Sequence, residues 1–376
     1  METPVEEWDK PVEGPFCRLS WHKINLNSHE QVKTYLLSKG WKPDEWNVKK
    51  EGGKTVKTSP KLTESSFHTV EGEIPSLIAR RAILVHRQRM LKNVRRDGEE
   101  TGWLNQLRED GRLEARAIPQ GTNTGRFTHI GVVNVPNAHA VYGSSIRSLF
   151  IAPDGYSYVG VDAAALEARI QAHYVSPYKG GQELADLLLN GDIHTENQKL
   201  WGMADRNDAK SPYYALMYGA QPQKLADTMG CSLRVATRRF EDFWATYTAL
   251  EEFKAAITKV WEDRGGKRGG FLKGLDGRKL FARSPHALVN LMFQSGGSIA
   301  VKKATVLTDQ WCEEAGLDSV QVLHFHDEFQ RETLNRDIDV VSTLAREAFE
   351  KAGEYYKLSV PLVGDVKLGR SWAETH

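Results

Sequence analysis

Two carboxylates placed at the ends of apolar runs constrain this chain most. Tyr156 to Val161 is a compact apolar run that stops abruptly at Asp162 and is followed by the helix-like Ala163 to Tyr174. That is the pattern of a strand delivering a carboxylate at its carboxyl end. Far downstream, Val320 to Phe325 and Phe329 to Thr333 read as a strand pair joined across His326-Asp327-Glu328. A carboxylate at the end of a buried strand is costly unless something compensates its charge. A divalent metal is the usual compensation, and two carboxylates from separate strands of one sheet can hold two metals about 4 Å apart. Such a pair activates an attacking hydroxyl and stabilises a leaving pyrophosphate. Taken singly, Asp162 also reads as a helix cap, and His-Asp-Glu as a polar hairpin turn.

Between these runs the helical signal dominates, from about Asp186 to Ala282. Thr248 and Glu251 form a capping box, Leu250, Phe253, Ile257 and Val260 an apolar stripe, and Gly265-Gly266 a stop. A long helical pattern covers Pro285 to Ala315, another covers Asp337 to Tyr355, and Ser359 to Lys367 reads as strand. Upstream, residues 1 to 75 mix short strand signals with a polar loop around Lys49 to Ser66. Residues 76 to 96 read as a basic helix, and Gly111 to Asn137 as turns and short strands. The order strand, helices, strand pair predicts an α+β chain in which a helical domain interrupts a sheet-based one. There is no internal repeat.

Fifty Lys+Arg against 49 Asp+Glu give a formal net charge of +1, so net charge neither suggests nor forbids a polyanionic partner. The charge is unevenly spread. Arg80 to Arg96 holds seven Lys/Arg and no acid, and Arg264 to Arg283 holds seven against the single Asp276. Either run can be a solvated face, but together they raise nucleic acid as a partner, because phosphates need local basic tracks. Cys17, Cys231 and Cys312 lie too far apart to form a metal-type or redox pair, which suits a reducing, cytoplasmic compartment. The acidic Met1 to Lys10 lacks the pattern of a signal peptide. The charge-free Ser284 to Val301 is broken by His286, Asn290, Gln294 and Gly-Gly, so no membrane span is expected.

A second constellation is Arg206, Lys210, Tyr214 and Tyr218, followed by Gly219. Helical steps of four drift by only about 40° each, so the four share one broad face. Two cations followed by two aromatics could grip a triphosphate and stack on a base; alone, they are also an exposed basic edge beside core tyrosines. His194, in Gly191-Asp-Ile-His-Thr195, is a candidate third phosphate donor. Pro212 lacks the N–H that would bond residue 208, so the helix must kink or begin there.

The order and spacing of these motifs resemble family A DNA polymerases, most closely the replicative polymerases of short-tailed phages, over roughly residues 22 to 376. Val159-Gly-Val-Asp162-Ala-Ala-Ala-Leu-Glu167-Ala-Arg169 is similar to the first catalytic motif, Asp192-Ile-His194-Thr195 to the fingers histidine, and Arg206 to Gly219 to the nucleotide-binding helix. Gly274 to Lys279 with Arg283-Ser-Pro-His286 resembles a segment of the phage branch. Gln294-Ser295 and His326-Asp327-Glu328 resemble the minor-groove glutamine and second catalytic motif, and Thr124-Gly125-Arg126 with Asn134-Val-Pro136 the palm segment at the primer-template. Trp372 and His376 also suit the phage type.

The resemblance implies a right-hand architecture: an antiparallel-sheet palm from residues 1–180 and 290–376 around helical fingers at 181–289. It implies that Asp162 and Asp327, with the Ala163 carbonyl, bind two Mg²⁺, for which Mn²⁺ can substitute, and that Glu328 is a catalytic residue close to the metals without being an obligatory ligand. Arg206, Lys210 and His194 would hold the incoming dNTP and Lys210 would assist catalysis. Tyr214 would lie by the sugar, and Glu167 would block a ribose 2′-hydroxyl. Tyr218 and Gly219 would lie near the templating base, while Arg126, Gln294, His326 and Arg283 would contact primer-template DNA. A single-subunit RNA polymerase shares several of these features, but Glu167 and the full His-Asp-Glu argue against it. A catalytically idle nucleic-acid-binding replisome subunit is the rival of another class. The palm-like segment starts within about the first 25 residues, leaving too few for a full thumb or an exonuclease domain, and Asp97-Gly98-Glu99 is a poor exonuclease site. The expectation is therefore one half of a split polymerase. A second polypeptide would supply exonuclease and thumb and dock near Trp8 to Trp21, and a processivity factor is a further possible partner. A truncated gap-filling enzyme is the alternative.

Overall fold

The computed structural model describes residues 23–375 except 52, 53, 96 and 133, so Cys17, Arg96, His376 and the Trp8 to Trp21 region lie outside the described residues. The chain divides into two compact units, Met1–Asn93 and Val94–His376.

In the first unit, helix α1 (His29–Ser38) starts at Ser28, whose hydroxyl accepts the Gln31 N–H, and presents Val32 and Leu36 inward. Strands β1 (Trp46–Glu51) and β2 (Lys54–Pro60) form an antiparallel hairpin, and α2 (Glu73–Leu91) follows. The small core joins Leu36, Trp41, Phe67 and Ile78, with the Trp41 indole donating to the Ser66 carbonyl at 2.6 Å. Two expectations are corrected here. The sequence reading had no helix at α1, because a stripe of two apolar residues four apart is a thin signal. It also read a polar loop where β1 and β2 pair, because lysines hide the alternation of the strands. The expected basic helix is present but runs Glu73–Leu91, so the residues from Lys92 on fall outside it, with Asn93–Val94 in a short strand.

After two very short paired strands at 93–94 and 100–101, the second unit contains the hairpin β3 (Ala115–Ile118) and β4 (Thr128–Gly131) and the short α3 (Gly143–Arg147). Upstream of it, Asp97-Gly98-Glu99 does lie in a turn, in which the Asp97 carboxylate accepts the Glu99 N–H. Strand β5 (Tyr156–Ala163) leads into α4 (Leu166–Val175), then α5 (Gly181–Asn190), α6 (Ile193–Trp201), α7 (Arg206–Met217), α8 (Pro222–Met229), α9 (Leu233–Thr246) and α10 (Thr248–Asp263). The small hairpin β6 (Phe271–Lys273) and β7 (Lys279–Phe281) precedes the long α11 (Leu288–Glu314). The chain returns as β8 (Ser319–Phe325), β9 (Glu328–Leu334), α12 (Ile338–Tyr355) and β10 (Gly364–Gly369).

One antiparallel sheet, in the order β8-β9-β5-β10, carries the unit. Alternation sends Val159, Val161 and Phe329 into a core shared with α11 and α12, where Phe329 stacks on Phe349 at 6.2 Å. The opposite face carries Gly160 and Asp162, and the register sets Asp162 opposite Glu328 on one side and Asp365 on the other. Packing of α4 against α11 depends on small residues: a Cβ at Gly296 would lie 2.9 Å from Ile170, and one at Gly297 3.0 Å from Leu166.

Several local expectations are corrected. Thr248 and Glu251 form no capping box: α10 follows Tyr247 without a side-chain cap, and Glu251 pairs with Lys254. Leu250, Phe253 and Ile257 are buried, but Trp261 rather than Val260 completes the stripe. The last strand is Gly364–Gly369, and the β8–β9 hairpin turns on His326 and Asp327 alone, with Glu328 already in the strand. Helix α7 runs through Pro212 from Arg206, since the Asp205 carboxylate caps it by accepting the Asn207 N–H at 2.7 Å. Capping at the true start offsets the bond that Pro212 removes, so the helix does not begin at the proline.

Candidate active site

Strand β5 ends with Asp162 exposed, and the tight turn beside it carries Asp327, half-buried. The Ala163 N–H donates to the Asp327 carbonyl at 3.2 Å, which ties the two strand ends together through backbone. Ala165 (φ 49°) and His326 (φ 61°) sit in the left-handed region without being glycine, the strain that collects where side chains are aimed for function. Glu328 is different from its neighbour. It is buried, and its Oε1 accepts hydrogen bonds from the Trp372 indole and the Gln330 amide.

Next to the turn, a pocket is lined by Arg126, Glu167, Gln294, His326 and Asp327 beside the apolar Leu166 and Phe293. Four separate segments thus bring five of the expected residues to one place. Glu167 is gripped there: its Oε1 accepts from the Gln294 amide at 2.8 Å and from the Tyr218 hydroxyl at 3.2 Å. Tyr218 lies at the end of α7, half-exposed, and Gly219 (φ 83°) turns the chain directly after it. A Cβ on Gly219 would lie 2.0 Å from the His286 carbonyl oxygen, so only glycine lets α7 end against the segment leading into α11.

Arg126 is carried by a loop that is held from two directions. The Gly125 carbonyl accepts from Lys302 and from the Ser298 hydroxyl, both on α11, and the Thr124 carbonyl accepts from Arg278 at 3.1 Å. Gly125 is favoured by its left-handed φ of 80°, and it lets the Arg278 guanidinium come within 2.0 Å of where a Cβ would stand. Burial lowers the Lys302 ammonium to about 8. Arg283 is exposed and does not line the pocket.

On α6 and α7 a second group assembles. Asp192 caps α6, accepting the His194 and Thr195 N–H groups and the Thr195 hydroxyl. The same carboxylate accepts Nε and one Nη of Arg206, and this guanidinium holds Asp192 well below the usual carboxylate range. His194 packs against Tyr213 and Tyr214 with ring centroids 5.4 and 5.6 Å away. Burial lowers its pKa, and the nearby Arg206 and Lys210 lower it further, which keeps the imidazole neutral. Tyr214 is partly exposed, while Tyr213 is buried and donates to Gln171. Along α7, Arg206 meets Asp192 and Tyr214 meets His194, and Tyr218 follows as the cap residue with its hydroxyl on Glu167. Sequence reasoning missed the Asp192–Arg206 pair, although an Asp two residues before His194 is a readable helix cap.

A family model described as DNA polymerase family A matches residues 6–374. The chain belongs to DNA polymerase family A. Among its relatives are the DNA-directed DNA polymerases of Enterobacteria phage T3 and Escherichia phage T7, each 28% identical over 96% of this chain and 54% of the relative. The thermostable DNA polymerase I of Thermus aquaticus is 27% identical over 99% of this chain and 44% of its own length. The chain thus spans about half the length of the curated relatives it matches. Its fold is similar to the solved POL domain of Pol1 from M. smegmatis in complex with DNA primer-template and dNTP. The TM-score is 0.71 at 22% identity, covering 94% of this chain and 62% of that one. The expected α+β polymerase fold is thereby established for this family member. Among the described residues no helix is long and apolar enough to cross a membrane.

Proposed function

We propose that this family A chain is a template-directed DNA polymerase that transfers a nucleotide from a dNTP to a primer 3′-hydroxyl. The observation that carries the reading is the convergence of Asp327, Arg126, Glu167, Gln294 and His326 on one pocket beside Asp162. In this reading residues 1–180 and 290–376 are palm and 181–289 fingers, and the chain works in the cytoplasm, on phage DNA.

The donor set suits Mg²⁺. Asp162, Asp327 and the Ala163 carbonyl offer hard oxygens, and Mg²⁺ is held through one or two carboxylates plus substrate phosphates rather than by a closed protein cage. When bound, two Mg²⁺ ions, or Mn²⁺ in their place, supply the charge that activates the primer hydroxyl and stabilises the leaving pyrophosphate. Arg206, oriented by Asp192, and Lys210 bind the triphosphate as fixed cations, with Lys210 offsetting charge as pyrophosphate departs, and neutral His194 donates a hydrogen bond to it. Tyr214 lies against the sugar. Glu167, pinned by Tyr218 and Gln294, fills the space a 2′-hydroxyl would need. Arg126, Gln294 and His326 face the minor groove, where acceptors test pairing geometry without reading sequence. Tyr218 and Gly219 border the templating base, and Arg283 with the basic run around it contacts template phosphates.

Primer extension by the purified chain tests this directly. Glu167→Ala is expected to raise ribonucleotide incorporation relative to dNTP by about tenfold or more, because the carboxylate that excludes the 2′-hydroxyl is gone. Tyr214→Phe should raise discrimination against dideoxynucleotides. Unchanged incorporation ratios in both variants would show that these residues do not line the sugar pocket.

A second polypeptide carrying exonuclease and thumb, and a processivity factor, belong to the finer reading. On that reading this chain extends primers distributively in the absence of the partner. Addition of a stoichiometric partner with carboxylate exonuclease motifs lengthens the products. Long products from the chain alone would refute it.

A further inference from the structure

We propose that the end of the chain is a buttress for the catalytic hairpin, in which Trp372 acts through Glu328 as a positioning residue for Asp327. The inference rests on the polymerase reading above. Trp372, Glu328 and Arg147 are 1%, 3% and 2% exposed. The Trp372 indole donates to Glu328 Oε1 at 2.5 Å, and its ring meets that of Phe325 edge-on at 5.7 Å. Phe325 and Glu328 are the residues immediately before and after the two-residue turn His326-Asp327. One side chain therefore holds both feet of the turn that carries Asp327, a turn strained by the left-handed His326.

Trp372 is itself fixed. Its backbone N–H donates to the Phe150 carbonyl at 3.0 Å, and the Arg147 guanidinium lies 4.2 Å over its ring and 3.9 Å from Glu328 Oε1. Arg147 in turn donates to the Pro136 carbonyl at 2.9 Å. Three residues on, the Thr375 hydroxyl donates to Gln330 Oε1 at 2.8 Å. The sheet is built to receive this segment: a Cβ on Gly160 would meet Thr375 at 2.6 Å and the Gln330 amide at 2.7 Å. Glu328 is thus committed inward, and its role is to transmit the position of the tail to the hairpin. A charge-assisted bond to a buried carboxylate is the stronger kind, so its loss lets the turn drift, and small misplacement at a reacting centre is costly in rate.

The test is Trp372→Phe, which keeps the ring and deletes the N–H. In single-nucleotide incorporation, kcat is expected to fall about tenfold while KM for dNTP and Kd for primer-template stay within about twofold. In a Glu328→Gln background, where the charge-assisted bond is already weakened, the same change should cost less than about threefold, because both substitutions break one connection. Thr375→Val, nearly isosteric, should lower kcat about two- to threefold by loosening the same segment without opening a cavity. A purely packing role predicts a lowered melting temperature with wild-type kcat below it, and that result overturns the proposal. So do effects of Trp372→Phe and Glu328→Gln that simply multiply. If the wild-type chain extends primers and Asp327→Ala does not, normal kcat in Trp372→Phe sinks this inference alone. If the wild-type chain extends nothing, the polymerase reading fails and the inference falls with it.

Discussion

Asp162→Ala and Asp327→Ala should each lower the rate of primer extension by at least about 10³-fold, a loss near 4 kcal/mol of transition-state stabilisation. The affinity for primer-template should stay within a few-fold, because the residues proposed to contact DNA, Arg126, Gln294 and His326, are untouched. Asp162 is exposed at the end of β5, and the bond that ties Asp327 to β5 comes from its backbone carbonyl, which alanine retains. Melting curves should therefore overlay those of the wild type within a few degrees. Both carboxylates are needed on the present reading, so the two losses should be of similar size and should not multiply in the double variant. Single-turnover extension near the wild-type rate by either variant would remove that residue from the chemistry, and a large drop in DNA affinity would make it a binding residue instead.

The parts of this site that were legible in the sequence are those with a local signature. An apolar run ending in Asp162 marks a carboxylate at a strand end, although alone it also reads as a helix cap, and the cations and tyrosines at steps of four on α7 suggest a shared face before any packing is known. Glycine at positions 125 and 219 could be seen as turns. That each also admits a specific neighbour, Arg278 in one case and the His286 carbonyl in the other, depends on segments far away in the chain. The same limit hid the clamp of Asp192 on Arg206, the grip of Tyr218 and Gln294 on Glu167, and the tail beneath the hairpin. Periodicity reports which way a side chain faces, not which distant group it meets. Errors in local structure arose where two local rules compete. Thr248 with Glu251 spells a capping box, but the helix already starts at Thr248, and Lys254 takes the glutamate.

His324 carries the other large effect, on stability rather than rate. It is 4% exposed on β8, its ring 4.2 Å from that of Phe127, and burial with Lys302, His129 and His326 nearby lowers its pKa to about 3. Neither ring nitrogen has a hydrogen-bond partner in the structure, so the imidazole is stored as an apolar, neutral ring. Unfolding exposes it and returns its pKa to about 6.5. Between those two values the unfolded chain holds a proton that the folded chain refuses, so stability falls as pH falls, by up to about 1.4 kcal/mol per pH unit. Above about pH 6.5 the contribution is complete and flat. His324→Leu removes the titration and preserves the apolar contact, while the hydrogen bond from the His129 ring to the residue 324 carbonyl is a backbone matter and survives. Denaturant melts at pH 7 and pH 5 should therefore show the wild type losing about 2 kcal/mol more than His324→Leu over that interval. Other groups titrate in both proteins and cancel in the comparison. Parallel losses in the two proteins would mean that His324 accepts its proton in the folded state, through an opening of the β8 edge around Phe127 that the folded structure does not contain.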